Sequence, residues 1–103
     1  MTRQAKPRAL PALIAKNREA LLAIAERHAL CNVRVFGSMA RGDVHEDSDV
    51  DLLVDARPEA RGLALGGMLA DAEELLQRPV DVVTEGFLLP AMRERVLREA
   101  VPL

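Results

Sequence analysis

With 103 residues, the chain has room for one small core and none for a second, which points to a single domain over 1–103. Half of the residues are apolar and 29% are charged, an ordinary soluble balance, and a formal net charge of -2 offers no global pull toward nucleic acid. Two Phe without any Trp or Tyr argue against a single-strand binder that stacks bases on rings, and leave Leu, Val, Ile, Ala and Met to build the core.

Residues 1–7 are polar and expected to be loose. Over 8–28, Leu10, Leu13, Ile14, Leu21, Ile24 and Ala25 recur at three- and four-residue steps, the apolar face of one long helix with Pro11 in its first turn. Lys16, Arg18 and Glu19 interrupt that apolar stretch, so it does not read as an export signal. Cys31 is a lone cysteine, able to form neither an internal disulfide nor a metal site by itself, and reads as a small buried residue beginning a strand. Asn32-Val33-Arg34-Val35-Phe36 alternates as a strand that ends at Gly37. A short helical turn over 38–42 and a polar loop over 43–48 lead into a second strand, 49–54. The loop around Arg57 and Pro58 precedes a helix over 63–77, with Leu65, Leu69, Ala72 and Leu76 on one face and Gly66 and Gly67 near its start. Pro79 breaks that helix, 80–84 forms a third strand, and a helix over 88–99 ends before Pro102.

The order α-β-β-α-β-α predicts an α+β (α/β) domain, a small mixed sheet of about three strands flanked by helices. No stretch approaches the ~20 apolar residues of a membrane span, and a cytoplasmic location is the simplest expectation.

Alternate residues of a strand share a face, so Asp49 and Asp51 point the same way, ~7 Å apart along the chain. Two carboxylates so placed repel each other unless a divalent cation lies between them, and hard oxygen ligands suit magnesium. A solvated strand end where two acids do no harm accounts for the pair as well. Asp81, among Val80, Val82 and Val83 of another strand, either stands exposed or faces the same cleft. Gly37 permits close backbone approach, and Ser38 opens a helical turn whose free N–H groups suit a phosphate, although Ser38 as a plain helix cap is a competing account. Arg41 could reach phosphate oxygens or pair with an acid in the following loop. His28 and His45 lack the paired spacing of a zinc site and are expected to be exposed.

Together, Phe36-Gly37-Ser38-Met39-Ala40-Arg41-Gly42 and Ser48-Asp49-Val50-Asp51-Leu52-Leu53-Val54 resemble the signature of the DNA polymerase beta-like nucleotidyltransferases, Gly-Ser, ten residues, Asp-x-Asp. Over nearly its whole length the chain looks like a minimal nucleotidyltransferase, the short form found as antitoxin beside a HEPN-domain toxin. The resemblance implies the nucleotidyltransferase fold and a magnesium ion held by Asp49, Asp51 and Asp81, the catalytic carboxylates. It also implies that Gly37 and Ser38 contact the nucleotide triphosphate, with Arg41 at the family's usual arginine position. For that group it further implies transfer of AMP from ATP to a tyrosine of the toxin, with no direct nucleic-acid contact and no membrane. A non-catalytic antitoxin that masks its toxin, or a small-molecule nucleotidyltransferase, are the alternatives.

Overall fold

Alternation along the strands decides which residues face the helices. In the computed structural model, which describes residues 10–45 and 47–103, β1 (Leu30–Phe36) turns Val33 and Val35 to one face of the sheet. From β2 (Val50–Ala56), Val50, Leu52 and Val54 point the same way, as do Val80 and Val82 from β3 (Val80–Val83). Two helices cover that face. Helix α2 (Arg18–Arg27) contributes Leu21, Ile24 and Ala25, and α4 (Ala64–Leu76) contributes Ala64, Met68, Ala72 and Leu76. The core is therefore aliphatic with two methionines, as the scarcity of aromatics requires. Leu53, fully buried, lies on the opposite face with Val96 of α5 (Pro90–Glu99).

Strand order is β3-β2-β1-β4. β1 and β2 are antiparallel, while β2 and β3 are parallel and joined by α4, because parallel neighbours need a crossover. The mixed sheet flanked by helices agrees with the expected class, with one strand more than the three anticipated. β4 (Val101–Pro102) lies antiparallel to β1, Arg34 opposite Pro102 and Val35 opposite Val101. Two residues are too few to show a period, and Pro ordinarily signals a break. On an edge strand, however, the missing N–H of Pro102 leaves no donor unpaired. A 3-10 turn at Glu85–Phe87, also not anticipated, packs against β2.

The single long first helix is not what forms. The described part divides into α1 (Ala12–Lys16) and α2 at Asn17, whose Nδ2 donates to the Leu13 carbonyl at 2.8 Å. A side-chain donor that takes an i-4 carbonyl competes with the backbone ladder, which apolar periodicity does not register. The expectation for residues 1–7 lies outside the described residues. Cys31 is half-buried at the start of β1 rather than enclosed.

His28 also departs from expectation, while His45 is exposed. The His28 ring is only 25% exposed and shares a 2.8 Å hydrogen bond, Nε2 to Oδ2, with Asp71 of α4. That bond holds the Asp71 carboxyl below its ordinary range, helped by the nearby Arg27. Gly67 makes the approach possible: a Cβ there would stand 2.6 Å from His28 Cε1. Gly66 faces open space. Gly66→Ala is therefore expected to stabilise the fold by roughly 0.5–1 kcal/mol, since it adds helix propensity without a clash. Gly67→Ala is expected to destabilise it by displacing the ring; urea unfolding of the two variants checks the contrast. Among the described residues no helix is long and apolar enough to cross a membrane.

Candidate active site

Where β1 ends, the chain must reverse within one residue. Gly37 does so at φ 74°, ψ -149°, a region essentially restricted to glycine. The four-residue helix α3 (Ser38–Arg41) follows, anchored by buried Met39 and Ala40 and closed by Gly42 in the left-handed conformation. The first N–H groups of such a turn have no acceptor within the helix. A Cβ on Gly37 would run into Asp51 Oδ2. The absence of that atom lets the β2 carboxylate lie directly against the turn.

The three aspartates reach one region from two strands. Asp51 is half-buried on the sheet face opposite Val50 and Leu52, and in the parallel register it sits beside Asp81 of β3, which is exposed. Adjacent strands lie about 4.8 Å apart, so these two carboxylates are neighbours. Asp49, exposed, immediately precedes β2. It borders both a cleft of about 370 Å³, shared with Gly37, Ser38, Arg41 and Asp51, and a smaller hollow of about 60 Å³, shared with Asp81. Thus Asp49 and Asp51 line the cleft itself, and Asp81 lies just beyond it. The far wall is α5, through Met92, Arg95, Val96 and Glu99.

Burial pushes the Asp51 carboxyl above its ordinary value; the negative charges of Asp81 and Asp49 push the same way, and Arg41 pulls against them. Because folded Asp51 holds its proton longer than the unfolded chain does, its contribution to stability falls as pH rises from the ordinary aspartate value through the raised one. A carboxyl-detected NMR titration without metal is expected to show Asp51 titrating above the ordinary aspartate range, and at lower pH in Asp81→Asn. An unchanged midpoint in that variant would separate the two side chains electrostatically.

Arg41 has an acidic partner, chiefly one that loop spacing could not suggest. Its NH1 donates to Glu99 Oε1 at 3.0 Å, with Asp43 Oδ2 a looser 3.9 Å from Nε. It bridges α3 to the last helix across the cleft. A further positioning residue was not legible in the sequence. Arg78 NH1 donates to the carbonyls of His45 and Ser48 at 3.1 and 3.2 Å, and pins the loop that delivers Asp49. Ser48 Oγ accepts from the His45 N–H at 2.7 Å and completes that brace. An arginine before Pro79 carries no spacing signal toward a loop thirty residues earlier.

The donor set fits a hard divalent cation. It consists of carboxylate oxygens, and their mutual repulsion is what a cation would relieve. Among the described residues, no three His, Cys, Asp or Glu side chains are gathered closely enough to hold a metal by themselves.

Comparison with known proteins bears on the family and the fold. The family described as the nucleotidyltransferase domain matches residues 18–103. The protein adenylyltransferase MntA of Thermococcus cleftensis is 40% identical over 76 residues, 74% of this chain and 77% of that protein. A solved structure described as a minimal nucleotidyltransferase superposes with a TM-score of 0.77 at 47% identity, over 87% of this chain and 92% of that one. A toxin–antitoxin structure solved with AMP-PNP shares the fold, with a TM-score of 0.70 at 20% identity over 84% of this chain and 71% of the other. The glycine turn, the aspartates on one sheet face and these likenesses lead to one assignment: the chain belongs to the nucleotidyltransferase domain family, as one of its minimal members.

Proposed function

We propose that this chain is a magnesium-dependent adenylyltransferase that moves AMP from ATP onto a partner toxin of the HEPN class, in the cytoplasm, and so acts as its antitoxin. The observation that carries the reading is the placement of Asp51, against Gly37 on one side and beside Asp81 on the other. Asp49 and Asp51 would hold magnesium, with Asp81 completing the carboxylate set. Bound there, magnesium would supply charge neutralisation at the α-phosphate and the departing pyrophosphate. The N–H groups of the Gly37–Ser38 turn hold phosphate oxygens, and Arg41, on the same turn, reaches them with guanidinium donors other than the NH1 that bonds Glu99. A tyrosine oxygen of the acceptor attacks the α-phosphorus, the bond to the oxygen bridging the α- and β-phosphates breaks as pyrophosphate leaves, and Asp81 takes the phenolic proton.

A protein acceptor is supported on three grounds. The adenylyltransferase relative acts on protein by its name, and a protein of the same fold was solved as a toxin–antitoxin with a nucleotide analogue. Between β3 and α5, Phe87 and Leu89 are 71% and 66% exposed, apolar surface that suits a protein better than a polyanion. Moreover, the arginines of α5 are engaged with acids, Arg93 with Glu85 and Arg98 with Glu94, so they make no bare cationic platform.

The test uses α-labelled ATP, magnesium and the protein encoded by the adjacent gene. Label is expected on that protein, and none when either Asp49 or Asp51 is replaced by alanine. Full neutralisation of the toxin without any label would assign the antitoxin effect to masking instead.

A further inference from the structure

The cleft is chemically divided. Gly37, Ser38, Arg41, Asp49 and Asp51 make its lining polar at the turn and the start of β2, while Phe36, Met92 and Val96 supply its apolar lining, with Arg95 and Glu99 beside them on α5. A nucleoside triphosphate is divided in the same way, with an anionic chain at one end and a flat π-system at the other. From this match we infer that Phe36, Met92 and Val96 form the seat of the nucleobase, with α5 as the wall that receives it. The inference rests on the proposed nucleotide chemistry and adds to it the element that binds the base.

Three observations support the seat. Val96 is 3% exposed and fixed, whereas Met92, on the same side of α5, remains 40% exposed at the cleft. An unbranched thioether left open to solvent beside a phenyl ring is the sort of surface that adapts to an aromatic face, since sulfur is polarizable and the side chain has three rotatable bonds. The cleft's volume of about 370 Å³ falls within the ~300–1,000 Å³ range of small-molecule sites. Finally, the spacing between seat and phosphate turn is held by the side chains themselves. Arg41 of α3 bonds Glu99 of α5 at 3.0 Å, which ties α5 across the cleft, and Arg95, one turn back on α5 itself, steadies Glu99 from 3.8 Å. A seat of this kind recognises ring area rather than edge hydrogen bonds, so it contributes more to affinity than to the distinction between one purine and another.

The experiment compares ATP with inorganic tripolyphosphate, both with magnesium, on the full chain. By calorimetry, Met92→Ala is expected to weaken ATP about tenfold while tripolyphosphate binds as before, and Met92→Leu to restore most of the loss. Independently of any variant, methyl-labelled methionine in the unaltered protein is expected to show the Met92 signal shifting with ATP and staying in place with tripolyphosphate. Equal ATP affinity in Met92→Ala, equal weakening of both ligands, or a Met92 methyl indifferent to ATP would each overturn the seat while leaving the phosphate site intact. Failure of the unaltered protein to bind either ligand would instead overturn the catalytic reading on which the seat depends.

Discussion

Asp51→Ala is expected to reduce AMP transfer about a thousandfold or more, while raising the melting temperature of the metal-free protein by a few degrees. The two effects have one cause. Asp51 is the half-buried member of a like-charged group, so its ionised form is penalised by burial and by Asp81 and Asp49. Removing it relieves that penalty, which solvent screening keeps modest, and also removes the carboxylate closest to the phosphate turn. Asp55 provides the contrast. It lies on the same strand and face but accepts hydrogen bonds from Arg34 NH2 at 3.0 Å and Asn32 Nδ2 at 2.9 Å. Asp55→Ala deprives the 11%-exposed Arg34 side chain of the closer of its two acidic partners and is expected to lower stability while leaving transfer within about twofold. Label transfer and thermal melting of both variants decide the matter. If Asp51→Ala melts lower and still transfers, the carboxylate is structural and the site assignment fails.

Gly37→Ala is expected to be the most damaging single methyl group in the chain. An L-residue at φ 74°, ψ -149° carries strain of roughly 1–3 kcal/mol. The new Cβ would also occupy the position of Asp51 Oδ2. Relaxation must either push Asp51 away from the turn or move the turn away from β2. The expected result is a fall in Tm of about 10 °C together with loss of transfer. Gly42→Ala separates the contributions, because Gly42 also has positive φ but open space around its Cβ position. It is expected to show the backbone cost without the loss of activity. If Gly37→Ala transfers AMP at the normal rate, the close approach of turn and carboxylate is incidental.

Much of this was legible along the chain because the relevant spacings are local. Alternation placed Asp49 and Asp51 on one face, Gly37-Ser38 marked the turn, and the apolar periods located α2, α4 and the three longer strands. The motif spacing pointed to the family that the comparisons bear out. What could not be read depends on partners far apart in sequence. Arg41 and Glu99 are 58 residues apart, and Arg78 reaches carbonyls 30 and 33 residues before it. The break at Asn17 is local, yet a side-chain hydrogen bond leaves the hydrophobic period unchanged, so periodicity predicted one helix across it.

By itself, then, the sequence determined the fold class, the turn and the residue types of the site, since backbone sterics and alternation act over a few residues. Tertiary structure alone decided that Asp81 stands in register with Asp51 and that the missing Cβ of Gly37 admits the Asp51 carboxylate. It also made α5 the second wall of the cleft. The physical reason is shared by all three. Strand register and helix docking are set by burial of the opposite face, where Val50, Leu52, Val80 and Val82 meet α2 and α4, and the polar face is carried into alignment by that packing.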